Sequence, residues 1–64
     1  MKMKERKNLA KKIAKQQRII LDSEDKNAVY QAEQEIIKLS GQVENWEDIL
    51  IIDELVQELL ENLS

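Results

Sequence analysis

Residues 49–63 read ILIIDELVQELLENL, and their pattern decides the fold. Ile49, Ile52, Val56, Leu59 and Leu63 follow three-four-three-four spacing, which stacks them on one side of a helix of 3.6 residues per turn. Leu55 and Leu60 thicken that stripe into a wide arc, and Asp53, Glu54, Glu58 and Glu61 lie opposite. An apolar arc broader than the two seam positions of a coiled coil suits a bundle of three or more helices. Leu50 and Ile51 fall off the stripe, as ordinary exposed aliphatics or as residues covered by a partner.

Upstream, Asn45 with Asp48 three residues later offers an N-terminal cap, a weaker box than one completed by Glu or Gln. Gly41, the single glycine, follows Leu39 where a left-handed residue commonly closes a helix. Before it, Val29, Ala32, Ile36, Leu39 and Val43 repeat the same spacing, and Tyr30 and Ile37 widen that buried face. The register also runs on through Trp46 and Leu50. One overwound helix over about 25 to 63 is therefore the alternative to a break at 41 to 45, because an interior glycine costs only ~1 kcal/mol.

Asp22-Ser23-Glu24-Asp25 reads as a stop and restart, with Ser23 or Asp22 as cap and Glu24 and Asp25 complementing the new helix dipole. In the first segment Leu9, Ala10, Ile13, Ala14, Ile20 and Leu21 share one side, and Lys11, Lys12, Lys15 and Arg18 the other. Two alanines make that apolar face thin, so this helix is expected to add little to the core. The expected fold is all-α, one helical domain with helices at about 4 to 21, 24 to 40 and 46 to 63. It is a small three-helix bundle, or a helical hairpin plus an N-terminal helix, completed by oligomerisation.

Composition limits the chemistry. In 64 residues there is no Pro, Cys, His or Phe. That excludes a disulfide framework, a thiolate zinc site and a Cys or His catalytic dyad. Ser23, Ser40 and Ser64 have no imidazole base, and carboxylate metal sites in bundles use Glu-x-x-His, which this chain cannot supply. Glu47, Glu54 and Glu61 form a heptad row that reads, with Glu58, as a solvated face. The expectation is a protein without enzymatic activity, metal or cofactor. The longest apolar run, Ile49 to Ile52, is far below the ~20 residues of a membrane span, and no signal-peptide core follows the basic start. A cytoplasmic location is expected.

A net charge of -3 conceals a gradient. Residues 1–20 carry Lys2, Lys4, Arg6, Lys7, Lys11, Lys12, Lys15 and Arg18 against Glu5 alone, whereas residues 41–64 carry seven acids and no base. Either the two ends neutralise each other, within one molecule or between two, or the basic end meets a polyanion.

The leading expectation is a protein-interaction module: a small adaptor, assembly subunit or regulatory inhibitor. It would bind a second copy or another protein through Ile49, Ile52, Leu55, Val56, Leu59, Leu60 and Leu63, with Val29, Ile36, Leu39 and Val43 as the opposing layer. Trp46 is a candidate anchor at the start of that seam, although a lone aromatic more often packs, here near Val43 and Leu50. The alternative is nucleic-acid or ribosome association through Lys4, Arg6, Lys7, Lys11, Lys12, Lys15 and Arg18, weakened by the absence of stacking aromatics in that helix. Membrane-surface binding is not expected of a helix so poor in large apolar residues.

Overall fold

A computed structural model describes residues 1–63, with the side chain of Leu63 and the whole of Ser64 outside the described residues. Three helices follow one another: α1 (Met3–Asp22), α2 (Lys26–Ser40) and α3 (Trp46–Leu63). No strand occurs among the described residues.

The connections differ from expectation in their chemistry. After α1 the Ser23 amide donates to Ile19 O at 2.9 Å, and the chain leaves the helix extended. The Ser23 hydroxyl then accepts from the Asp25 amide at 3.1 Å, and the Asp25 carboxylate accepts from the Asn27 amide at 3.0 Å. Asp25 is thus the cap of α2, in place of Ser23 or Asp22, and the helix starts two residues later than expected. Ser23 is used in bracing the turn that reverses the chain.

The second connection is a true break, so α2 and α3 are separate helices. Gly41 closes α2 with φ -65° and ψ -15°, a right-handed conformation rather than the expected left-handed one. Its amide donates to Ile37 O at 2.9 Å, and the Gln42 and Val43 amides donate three residues back, to Leu39 O and Ser40 O. The helix end tightens instead of reversing hand, which satisfies its last carbonyls without a positive φ. The Asn45 side chain accepts from the Glu47 amide at 2.9 Å and caps α3, as expected. Asp48, the expected partner in that box, is engaged elsewhere.

α1 lies in the middle. It packs against both α2 and α3, while α2 and α3 scarcely touch each other. The expected opposing layer of α2 on α3 is therefore corrected: Leu39 is buried in the common core, Val43 plugs the link between α2 and α3, and Val29 is half-buried. Tyr30 and Ile37, expected to widen a buried face, are exposed.

The reason lies in the thin face of α1. Adjacent pairs Leu9-Ala10 and Ile13-Ala14, four apart, give α1 two neighbouring stripes instead of one, and all four residues are buried. Ala10 and Ala14 let a neighbouring axis come close, since interaxial distance is set by side-chain size at the contact. Small side chains thus made α1 the hub rather than the weakest contributor. Ile52 and Val56 complete the core from α3; burying Val56 contributes about 1.5 kcal/mol or more.

The molecule is broader than a closed triangle of three helices, about 14 Å across, and thicker than three helices laid side by side, about 5 Å, so α2 and α3 splay apart over α1 without lying in one plane. The molecule measures 35 × 25 × 15 Å. Its radius of gyration of 11.7 Å exceeds the about 10.7 Å of a close-packed chain this long.

One polar contact fixes the start of α3 against the start of α1. The Arg6 Nε donates to Asp48 Oδ1 at 2.8 Å, and the Met1 amino group lies 3.7 Å from Asp48 Oδ2. Asp48 is buried, at 6% exposure, which explains why it does not complete the box with Asn45.

Two substitutions test this description. Gly41→Ala should stabilise the protein by about 0.5 kcal/mol in urea unfolding, because alanine adopts this backbone freely and loses less entropy on folding. Its new Cβ would meet Ile37 O at 3.4 Å and Lys38 O at 3.5 Å, close to ordinary contact. A destabilised variant would mean that the glycine is left-handed after all. Arg6→Ala and Asp48→Ala should each cost about 2 kcal/mol, and the double variant about 1 kcal/mol less than their sum. Strict additivity would deny the pair.

Candidate functional site

The residues expected to form a partner seam divide by what α1 covers. Ile52 and Val56 lie inside the molecule's own core, Val56 with 1% of its surface exposed. They hold the fold and are not available to a partner. Leu55, Leu59 and Leu60 are half-buried against that core. Ile49 is 47% exposed and Trp46 67% exposed, and Leu50, outside the expected set, joins them at 57%. Leu63 has its side chain outside the described residues.

Trp46 does not pack at the end of the core as a lone aromatic was expected to. Val43 already fills the space beneath the link, being buried. Trp46, the first residue of α3, is rotated past Asp53 toward solvent and stands one turn before Leu50 on the same side.

Between α2 and α3 runs a shallow groove of about 120 Å³. Its floor is Ile13 and Gln17 of α1, one wall carries Ile36 and Ser40 of α2, and the other carries Ile49, Asp53 and Val56 of α3. The groove exists because α1 holds α2 and α3 apart. Past Gln17, it is continued by a second hollow lined by Ile20, Leu21 and Ile36. Rotating outward at 100° per residue, the α3 wall passes into Trp46 and Leu50, and the α2 wall into Ile37 and Tyr30. All four are exposed. The sequence signal for this face was present in Leu50, Tyr30 and Ile37, large apolar residues just off the main stripes.

The opposite side is basic. Lys7, Lys11 and Lys15 rim crevices between α1 and α3 whose floors are Ala10, Ala14, Leu55 and Leu59. Lys4, Lys7, Lys11, Lys12 and Lys15 are exposed, and among the described residues none of the five enters an ion pair. Arg6 leaves the expected polyanion set: its guanidinium is committed to buried Asp48. Arg18 is held by Asp22 one turn on, at 2.8 Å. The expected neutralisation of one end by the other is thus seen in the Arg6–Asp48 bridge between α1 and α3, while the lysine row stays open.

Among the described residues no three acidic side chains converge as a metal site would require, and no helix is long and apolar enough to cross a membrane. Comparison with known proteins matches this chain to no family model, no curated protein and no solved structure.

Proposed function

We propose that this chain is a non-enzymatic protein-interaction module whose working surface is the groove between α2 and α3 with the exposed Trp46, Ile49 and Leu50 beside it. The observation that carries this reading is the grouping of those three residues at the mouth of an apolar groove. Scattered exposed aliphatics are ordinary, but a contiguous apolar patch on a small protein marks a contact surface. Trp46 suits the role of anchor, since a large amphipathic ring gains much area for little lost rotamer freedom. The absence of His and Cys, and of converging carboxylates among the described residues, supports a binding role over a catalytic one. The binding surface proposed from the structure is narrower than the stripe expected from the sequence, because Ile52 and Val56 are already spent on α1.

A second reading rests on the open lysine row. Lys4, Lys7, Lys11 and Lys15 follow one another at helical spacing, form no ion pair among the described residues although Glu58 lines the crevice beside Lys7 and Lys11, and could neutralise successive phosphates. No aromatic stands among them to stack on bases, so any such binding would be independent of sequence.

The two readings separate in one affinity-capture experiment with quantitative mass spectrometry. Leu50→Glu should remove specific partners by about tenfold or more, while Lys7→Gln/Lys11→Gln/Lys15→Gln should leave them. The reverse outcome, with nuclease removing what the lysine variant removes, would establish the polyanion reading and end the first.

A further inference from the structure

We infer that the α1/α3 face, a lysine row beside a row of acids, docks on the same face of a second copy of this chain. The two-fold axis runs along the crevice between the two helices. This surface is separate from the α2/α3 groove.

α1 and α3 run side by side in the same direction. Arg6 meets Asp48 at one end, Lys7 and Lys11 share a crevice with Leu55 and Glu58, and Lys15 shares the next with Leu59. At 100° per residue Lys4, Lys7, Lys11 and Lys15 fall within an arc of about 80° on α1, and Glu47, Glu54 and Glu58 within about 40° on α3. Glu58 lines the crevice, so the acid row lies on the same face of the molecule as the lysines. All of these residues are exposed, and none forms an ion pair among the described residues. The face is therefore a basic stripe and an acidic stripe with an apolar seam of Ala10, Ala14, Leu55 and Leu59 between them.

A two-fold contact sets a patch against itself. Rotation about an axis parallel to the helices lays α1 of one copy over α3 of the other and keeps each residue at its own height. Lys4 then comes to the height of Glu47, Lys7 and Lys11 to that of Glu54, and Lys11 and Lys15 to that of Glu58. The match holds in both directions across the interface. The half-buried Leu55 and Leu59 meet over the axis and lose water. An axis across the helices would instead set lysine on lysine.

A nucleic acid matches only half of this face, because phosphates drawn to the lysines would also meet Glu47, Glu54 and Glu58. Another protein would have to carry both stripes in reverse order at helical pitch. A second copy carries them by symmetry. Exposed ion pairs are individually weak and screened by salt, so the dimer is expected to be weak and salt-sensitive.

Sedimentation and light scattering over a concentration series, at about 0.05 M and about 0.5 M salt, test this. The expected result is a mass twice 7.5 kDa at high concentration in low salt. The dissociation constant should rise about tenfold or more in the higher salt. Lys7→Glu/Lys11→Glu makes both stripes acidic, and Glu54→Lys/Glu58→Lys makes both basic. All four positions are exposed, so circular dichroism should show the fold retained. Each variant alone should stay monomeric, while an equimolar mixture of the two should restore a dimer. Leu50→Glu should leave the parent dimer unchanged, so this proposal and the reading of the α2/α3 groove fail separately. A monomer at every concentration in low salt overturns the second copy. If that monomer binds a short DNA duplex and loses it with Lys7→Glu/Lys11→Glu, the lysine row serves a polyanion instead. A dimer indifferent to salt and to both charge variants, or a mixture that does not associate, places any self-association elsewhere and equally overturns the proposal.

Discussion

The structure depends on the close approach that Ala10 and Ala14 allow on α1. Both are buried, and next to them on the helix stand Leu9 and Ile13. A helix with a single large apolar stripe offers one neighbour a seam; one with two adjacent stripes, large beside small, offers seams to two. α2 and α3 each take one, and each is held to α1 more than to the other. Everything distinctive about the surface follows. The helices form a bundle open on one side, the groove runs where a third seam would have closed, and α3 presents Trp46, Ile49 and Leu50 instead of burying them.

The arrangement gives the molecule two unlike sides. One carries the apolar groove and the exposed Trp46, Leu50, Tyr30 and Ile37, with Asp53 and Glu33 among them. The other carries the lysine row of α1, with the acidic residues of α3 along the adjoining edge. The Arg6–Asp48 bridge ties the two charged helices at one end and orients the first turn of α3, and so the position of Trp46. Desolvating Asp48 offsets part of what this charge-assisted hydrogen bond contributes. The bridge also sets which way α3 faces.

The helices themselves were readable from spacing alone: each expected boundary lies within two residues of the observed one, and the break after Gly41 is where the glycine and Asn45 pointed. What spacing could not supply was pairing. The 3-4 pattern tells which side of α3 is apolar but not which helix covers it, and Ala-rich α1 looked too weak to do so. Ile52 and Val56 were for that reason assigned to a partner. Gly41 misled in a smaller way, since its identity permits a left-handed turn without demanding one. Arg6 is read correctly only in three dimensions, because its acid lies 42 positions away. The exposed residues were the hardest to see: Leu50 reads as an ordinary surface aliphatic, and Tyr30 and Ile37 read as part of a buried face until the separation of α2 from α3 is known.

The central position of α1 is tested most directly by intramolecular methyl and side-chain nuclear Overhauser contacts in the folded chain. Ala10 and Ala14 should contact Leu55 and Leu59 while Ala32 contacts Ile19, and the first half of α2 should show no contacts with the last half of α3. Strong contacts between Val29 and Leu60, with Ala10 and Ala14 lacking partners on α3, would show α1 at the margin of the bundle and would contradict its central position.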